Sequence, residues 1–282
     1  MRIFADEYLS TFYALLNSAV DITARNGAVT HELCGHYIQC SVDAGISIFS
    51  HEDHRVFPMK FALAELAWIL SGRDDLASIQ PYCAAMTHFS DDNMTLTGAY
   101  GVRLREQWER AVEMLRADPS SRRVVLPIYR ETDLCRKTND IPCNIALQVL
   151  IRRCHVLLSV TSRSSDFITG YPIDMFHWQV LAHMLAREFA CNTAQTVSYA
   201  VGSLHLYGID HSVVSDWHRD PIGYAHMMSI EKPLLTAIRD CQRSFSTHLS
   251  VEDLCDLLGV TQIDTCTMLH DIFRRRRSRV SR

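Results

Sequence analysis

The chain has 282 residues, of which 48% are hydrophobic and 21% are charged, and its formal net charge at pH 7 is −4. This composition allows a substantial buried core, and the slight negative charge gives no general attraction to nucleic-acid phosphate. The ten cysteines lack paired spacing, which favours reduced thiols in a cytoplasmic protein over a secreted disulfide framework. No signal peptide or membrane-spanning run is expected, because acidic and polar residues interrupt the apolar N-terminal stretch.

Apolar positions at helical spacing predict three helices in the first half of the chain, over residues 8–20, 60–70 and 103–116. Residues 82–99 show no regular pattern and are predicted to be irregular. Runs rich in β-branched and aliphatic residues then predict strands over residues 123–129, 145–151, 155–161 and 196–201. The second and third of these strands are expected to form a hairpin.

A long helix is predicted over residues 175–189, after a turn at Gly170-Tyr171-Pro172. No repeat or linker divides the chain, so we predict one α+β domain over residues 1–282, with a twisted, largely antiparallel sheet flanked by helices. Within that domain, residues 211–282 are expected to form a helical C-terminal extension that ends in a basic tail.

Several short motifs suggest chemistry. Cys143 follows a proline and directly precedes an apolar strand, where a rigid turn can present a thiol to a cleft; by itself, a single cysteine is more often a core residue. Around it lie, in chain order, Asp118-Pro119-Ser120-Ser121-Arg122-Arg123, Arg163-Ser164-Ser165-Asp166, Gly170-Tyr171-Pro172-Ile173-Asp174 and His205-Leu206-Tyr207. In this order and at this spacing, the motifs resemble those of the thymidylate synthase family, over about residues 20–210.

The resemblance implies that Cys143 adds to C6 of a pyrimidine nucleotide and thereby makes C5 nucleophilic. Arg163 would favour the thiolate and also hold the 5′-phosphate. In this family the phosphate is held by arginines of two subunits, so the resemblance implies a homodimer. Arg25 and Arg163 would come from one protomer, and Arg122 and Arg123 from its partner. Without the family resemblance, Arg122 and Arg123 would be predicted to lie in a solvent-exposed loop.

Other matched positions imply proton transfer and binding. Glu65 would be a general acid or base, and Tyr100 would help to remove the C5 proton through water. His205 and Tyr207 alternate on one strand and therefore face the same side, as two residues that bind one sugar hydroxyl should. Without the family resemblance, routine core packing explains His205 and Tyr207 about as well as a role in sugar binding does. The remaining implied contacts are Ser164 and Asn144 for the nucleotide, and Asp166 and Gly170 for the folate.

The residue that reads the base is an asparagine in thymidylate synthases, but it is Asp174 in this chain. An amide complements uracil, which has a donor at N3 and an acceptor at O4. Cytosine presents the reverse pattern, which a suitably protonated carboxyl group can match. Because cytidylate hydroxymethylases of the family carry aspartate here, we predict CMP or dCMP as the substrate, with Asp174 also acting in catalysis. A helix N-cap is the structural alternative for Asp174.

A second departure concerns the product. Synthases place a tryptophan after the Glu65 helix, but residues 82–90 contain none. Without that bulk, water could reach the one-carbon unit donated by 5,10-methylenetetrahydrofolate, so the expected product is 5-hydroxymethyl-(d)CMP. Asn144 and Ser162 replace a histidine and a glutamine of the synthases, which puts ordinary thymidylate synthesis in doubt. A thymidylate synthase or a dUMP hydroxymethylase remains the alternative, and the preferred sugar stays open.

Two further motifs suggest other classes of protein. His51-Glu52-Asp53-His54 has spacing suited to a metal-dependent hydrolase only if it is helical, and its polar composition favours a loop, so no metal is expected. The arginine-rich run at residues 274–279 suggests a nucleic-acid-binding module. A basic terminal run is more often a solvated tail, so nucleic acid is not the expected partner.

Overall fold

The computed structural model describes residues 4–24, 27–42, 58–191 and 195–210. Within these ranges the chain forms one six-stranded sheet with the order β1-β2-β6-β5-β4-β3. All neighbouring strands are antiparallel except β5 and β6, which are parallel. The predicted α+β fold with a largely antiparallel sheet is therefore confirmed. The strands are β1 (Val20–Thr23), β2 (Val29–Ser41), β3 (Val125–Pro127), β4 (Asn144–Arg152), β5 (His155–Asp166) and β6 (Gln195–Tyr207).

Helices pack against this sheet, and most of them fall where apolar periodicity predicted. Their bounds are α1 (Phe4–Ser18), α2 (Met59–Leu70), α3 (Leu76–Ile79), α4 (Tyr100–Ala117), α5 (Glu131–Cys135) and α6 (Gly170–Glu188), with 3₁₀ turns at Ala84–His88 and Gly208–Asp210. Among the described residues, no helix has the length and apolar character needed to cross a bilayer. The expected helical extension at residues 211–282 lies outside the described residues, as do the histidine motif at residues 51–54 and the basic tail.

The start of α6 differs from the prediction. The expected turn at Gly170-Tyr171-Pro172 is wrong, because the helix already begins at Gly170. Pro172 is tolerated there since the first-turn N–H groups of a helix have no intrahelical partner. Asp174 consequently lies inside the first turns of a buried helix and not at its N-cap, which removes the capping alternative for this residue.

Two strands were not predicted. β1 and β2 form a hairpin at one edge of the sheet, and β2 pairs with β6 from Thr30 opposite Tyr207 to Ser41 opposite Thr196. Polar side chains occupy much of β2, so its sequence lacks a clear apolar alternation. The predicted hairpin between β4 and β5 is confirmed; its turn residues Arg153 and Cys154 have left-handed backbone angles, with φ of 51° and 58°.

The main core lies between α6 and the sheet. Fully buried aromatic rings from α1, the β5–α6 connection and β6 stack there, with the Tyr8 and Phe167 ring centroids 4.3 Å apart. α2 and α4 also cross closely, because Gly101 has no side chain; a Cβ at that position would lie 2.5 Å from the Ile69 carbonyl oxygen. This crossing places the start of α4 beside α2, and it therefore fixes the geometry of the cavity between them.

Candidate active site

A cavity of about 470 Å³ lies between α2, the start of α4, the start of α6 and the ends of β5 and β6. Residues from at least six separate segments meet at its wall, so chain folding brings together positions that are far apart in sequence. The predicted site residues on this wall are Glu65, Tyr100, Cys143, Arg163, Ser164, Asp166, Gly170, Asp174, His205 and Tyr207.

The remaining predicted site residues are placed differently. Arg122 and Arg123 are exposed and precede the edge strand β3, and neither lines the cavity of its own protomer. Asn144, predicted as a substrate contact, is fully buried and lies behind the cavity wall. Arg25 lies outside the described residues, in the connection between β1 and β2.

Arg163 holds the segment that carries Cys143. Its Nε donates to the Pro142 carbonyl oxygen at 3.0 Å, and its Nη2 donates to the Ile141 carbonyl oxygen at 2.8 Å. The same Nη2 lies 3.7 Å from the Cys143 Sγ atom. The guanidinium group therefore fixes the loop and places a positive charge beside the thiol.

In this conformation, the surroundings of Cys143 disfavour the thiolate form of its side chain. Burial raises the pKa of the thiol to about 11, Arg163 opposes that rise, and the carboxyl groups of Asp174, Asp140 and Asp166 add to it. The expectation that Arg163 favours the thiolate is right in direction, but burial outweighs it. The thiol is thus protonated at neutral pH until a ligand or a proton acceptor changes its surroundings.

Asp140 is a cavity residue that sequence reasoning missed. Its Oδ2 accepts a hydrogen bond from the Gly98 N–H at 2.7 Å, and a Cβ at Gly98 would lie 2.8 Å from Oδ1. Thr97 Oγ1 donates to the Asp140 carbonyl oxygen at 3.2 Å, which ties the loop before the nucleophile to the segment before α4. An acidic residue three positions before Cys143 was the available signal in the sequence.

A buried ion pair supports that segment from behind. Arg103 donates to both carboxylate oxygens of Asp133, at 2.6 and 2.8 Å, and both side chains are almost fully buried. Arg103 also donates to the Thr97 and Ile128 carbonyl oxygens, each at 2.6 Å. This one side chain of α4 therefore joins three other parts of the chain, which are the segment before α4, the segment after β3 and helix α5.

Two buried acids face the cavity with strongly raised pKa values. Burial, Asp174 and Asp140 raise the pKa of Glu65 to about 8, so this carboxyl group is mainly protonated at neutral pH. Burial raises the pKa of Asp174 to about 6, against hydrogen bonds that lower it. One of these comes from Tyr199, whose hydroxyl donates to Asp174 Oδ2 at 2.8 Å. Groups that titrate close to neutrality are suited to exchange protons with a substrate.

Two polar side chains near the cavity lack hydrogen bonds. Neither Oδ1 nor Nδ2 of Asn144 is bonded to a described residue, and the Ser165 hydroxyl, on the cavity wall, is also unpartnered. Leaving a buried polar group unpaired costs about 1–3 kcal/mol, so such groups usually have a functional or ligand-dependent reason. Tyr199 was likewise absent from the predicted site, although its hydroxyl donates to Asp174.

The far end of the cavity offers groups for a sugar and for a planar ring. The rings of His205 and Tyr207 pack edge to face at 5.2 Å, and the Ser164 Oγ lies 3.5 Å from His205 Nδ1. Asp166 accepts from the Ile168 N–H and the Thr169 hydroxyl, so it also organises the start of α6. An apolar wall that a planar aromatic ring would fit is formed by Trp68, Ile69, Met86, Phe89 and Leu96. The described ranges contain no cluster of three potential metal ligands.

The model of the family named thymidylate synthase matches residues 6–251 of the chain. The chain belongs to the thymidylate synthase family. Its curated relatives within that family include enzymes with two different names, and the similarity to each is partial.

A deoxyuridylate hydroxymethyltransferase of Pseudomonas phage M6 is 33% identical over 136 residues, which is 45% of this chain and 39% of that protein. Another of the same name, from Bacillus phage SP01, is 34% identical over 169 residues, covering 54% and 44%. A thymidylate synthase of Coxiella burnetii (strain Dugway 5J108-111) is 23% identical over 221 residues, covering 74% and 81%. The chain thus spans less than half the length of the two phage relatives that it matches.

Proposed function

We propose that this member of the thymidylate synthase family transfers a one-carbon unit from 5,10-methylenetetrahydrofolate to C5 of CMP or dCMP. Water completes the product, 5-hydroxymethyl-(d)CMP, and tetrahydrofolate is released. The observation that carries the proposal is the Cys143 thiol beside Arg163, in a cavity whose wall also holds the buried carboxyl group of Asp174.

The reaction begins when Cys143 loses its proton and Sγ bonds to C6 of the pyrimidine. Electron density of the C5–C6 double bond moves towards C4 and N3, and Asp174 gives its proton to N3. After the one-carbon unit is attached, the ionised form of Glu65, with Tyr100, receives the C5 proton through water and passes it to the leaving nitrogen of tetrahydrofolate. Water then adds to the exocyclic methylene group that remains on C5. When Sγ leaves C6, the double bond forms again and N3 returns its proton to Asp174. Each proton-handling group named here lines the cavity.

Base recognition rests on the protonation state of Asp174. A neutral carboxyl group offers one donor and one acceptor, so it can donate to cytosine N3 and accept from the N4 amino group. A pKa of about 6 keeps the neutral form accessible near neutrality, and pairing with the base stabilises it further. A carboxylate without its proton would place a lone pair against N3, which disfavours binding.

Deoxyuridylate is the second candidate substrate. The two phage relatives are named for it, and a neutral carboxyl group turned over can accept from uracil N3–H and donate to O4. Hydroxymethylation is expected with either base. The only tryptophan on the described cavity wall is Trp68 of α2, while the wall formed by residues 82–90 offers Met86 and Phe89, so that side leaves room for water.

A homodimer would complete the phosphate site. Tyr37 and Val125 are 58% and 49% exposed and alternate with the buried Ile38 and Leu126, so they lie on the sheet face away from the main core, which suits an interface between two sheets. Arg122 and Arg123 are exposed and do not line the cavity of their own protomer, as is expected of residues donated to a partner.

Product analysis tests the proposal. The protein is incubated with CMP, dCMP, UMP or dUMP and methylenetetrahydrofolate, and products are identified by mass. We expect a hydroxymethyl group on a cytidylate, lost in Cys143→Ala and retained in Cys135→Ala, which removes an exposed thiol on α5. A hydroxymethyl group on dUMP alone would establish the second candidate, and a methyl group on dUMP would refute hydroxymethylation.

A mixed dimer tests the donated arginines. Cys143→Ala and Arg123→Ala are each expected to be inactive, but in a mixed dimer one site has both changes and the other has neither. Equimolar reassociation should therefore restore about a quarter of the wild-type activity. No recovery would show that Arg123 does not act in the partner's site.

A further inference from the structure

Asn144 is a buried amide in a position that packing does not explain. It directly follows Cys143 at the start of β4, pairs with Ser162 in β5 and has no solvent exposure. Neither of its side-chain atoms is hydrogen-bonded to the described residues. A leucine would fill a similar volume without placing two unpaired polar atoms in the interior. The amide is therefore expected to find partners in another state of the site.

Two proton-handling groups lie next to this amide. The Asn144 side chain lowers the pKa of both Asp174 and Tyr100, as a nearby hydrogen-bond donor does, so it lies close to both groups, although neither contact meets hydrogen-bond geometry in this conformation. Asn144 does not line the cavity, so it cannot act on a substrate directly in this conformation. Any effect on the reaction must pass through these two neighbours.

The orientation of Asp174 decides which base it matches. Since a neutral carboxyl group can pair with cytosine or, turned over, with uracil, selectivity requires the protein to fix which oxygen carries the proton. Tyr199 donates to Oδ2 at 2.8 Å, so Oδ2 is the acceptor and Oδ1 keeps the proton in the neutral form. One donor leaves the carboxyl group free to turn about the Tyr199 contact, and a second donor is needed to hold it.

We propose that Asn144 is this second donor, a positioning residue whose amide N–H groups bond to Asp174 and Tyr100 when the nucleotide binds. The amide then fixes the orientation and the protonation of Asp174, and so determines the pyrimidine that is accepted. Through its other N–H, it links base recognition to the hydroxyl group that assists removal of the C5 proton. The consequence for base choice rests on the proposed function, whereas the effect on Asp174 itself does not.

The test compares Asn144→Leu with Asn17→Leu, which makes the same replacement at an exposed position on α1. The Asp174 carboxyl group is titrated by difference infrared spectroscopy, with its band assigned by its absence in Asp174→Asn. Loss of a donor should raise the pKa of Asp174 in Asn144→Leu, more strongly with dCMP bound, and leave it unchanged in Asn17→Leu. An unchanged pKa in both states would overturn the inference.

Activity supplies the second measurement. The ratio of kcat/KM for dCMP to that for dUMP should fall by about tenfold or more in Asn144→Leu, as expected for loss of a hydrogen bond to an ionisable group. Equal losses for both nucleotides would contradict a role in base choice. If Asn144→Leu does not fold, Asn144→Ser, which retains a smaller donor, should show the same two changes in weaker form, and their absence would equally refute it.

The two proposals can fail separately. The infrared titration needs no turnover, so a raised Asp174 pKa in a protein that makes no hydroxymethyl product would remove the proposed function and keep the positioning role. If the wild-type protein forms hydroxymethylcytidylate but the pKa of Asp174 is unchanged in Asn144→Leu, the proposed function would stand and the positioning role of Asn144 would be refuted.

Discussion

Replacing Asp174 by asparagine should stabilise the folded protein at neutral pH, because the native residue is an acid kept in a buried site. The Asp174 residue is only 9% exposed, and burial raises the pKa of its carboxyl group from 3.8 to about 6. An asparagine has nearly the same shape, and its amide oxygen can still accept the hydrogen bond from Tyr199. Because the asparagine side chain does not ionise, its burial carries no cost of this kind.

The size and sign of the effect follow from the two pKa values. The unfolded chain releases the Asp174 proton near pH 3.8, whereas the folded protein keeps it until about pH 6. Between these values the folded state binds more protons, so stability falls as the pH rises through the window. At 1.36 kcal/mol per pH unit, the free energy of unfolding at neutral pH is lowered by about 3 kcal/mol. The asparagine variant, which has no group titrating at this position, should not show this decrease.

Urea unfolding at pH 4 and at pH 8 measures this difference. Asp174→Asn should gain on the wild type between the two pH values by up to about 3 kcal/mol, while Asp6→Asn, which changes an exposed acid on α1, should not. If Asp174→Asn has the same stability relative to wild type at both pH values, burial does not raise the pKa of Asp174. The same variant should shift substrate preference towards uracil nucleotides, so stability would rise as cytidylate activity falls.

Three further substitutions test the surroundings of the site. Asp140→Asn removes a charge that raises the pKa of Cys143 and Glu65, so alkylation of Cys143 by iodoacetamide at pH 8 should be faster; an unchanged rate would contradict this. Glu65→Gln should lower kcat about 100-fold or more and abolish the change of kcat with pH near pH 8. If the variant keeps that pH dependence, a group other than Glu65 is responsible for it. Arg103→Leu leaves Asp133 unpaired and should cost about 3–5 kcal/mol in urea unfolding, largely recovered when Asp133→Leu is added.

The sequence predicted those elements whose side chains follow one clear period. α2 is almost entirely apolar, α4 repeats apolar residues with helical spacing, and β4 and the first half of β5 are rich in aliphatic residues. β2 escaped prediction because polar residues occupy both of its faces, and its extended form depends on pairing with β6, which lies more than 150 residues away in sequence. Such pairing is a tertiary effect that local propensity does not contain.

Neighbouring residues in the sequence did not all share the site, and strand geometry explains why. Cys143 and Asn144 were both predicted to contact the substrate, but only Cys143 lies on the cavity wall. Successive side chains near the start of a strand point in different directions, so a residue next to the nucleophile need not face the same space.

The hydrogen bonds of Arg163 indicate that this side chain alone cannot hold a nucleotide phosphate well. Its Nε and Nη2 atoms are already engaged by the Pro142 and Ile141 carbonyl oxygens and the Cys143 thiol, so only Nη1 remains for a ligand among the contacts of the described residues. A phosphate dianion is best bound by several guanidinium groups that each donate two hydrogen bonds. If Arg163 released those carbonyl oxygens to bind phosphate fully, it would also release the loop that places the thiol. We therefore predict that further arginines join Arg163 at the phosphate, namely Arg25 of the same protomer and, in the proposed dimer, the exposed pair before β3.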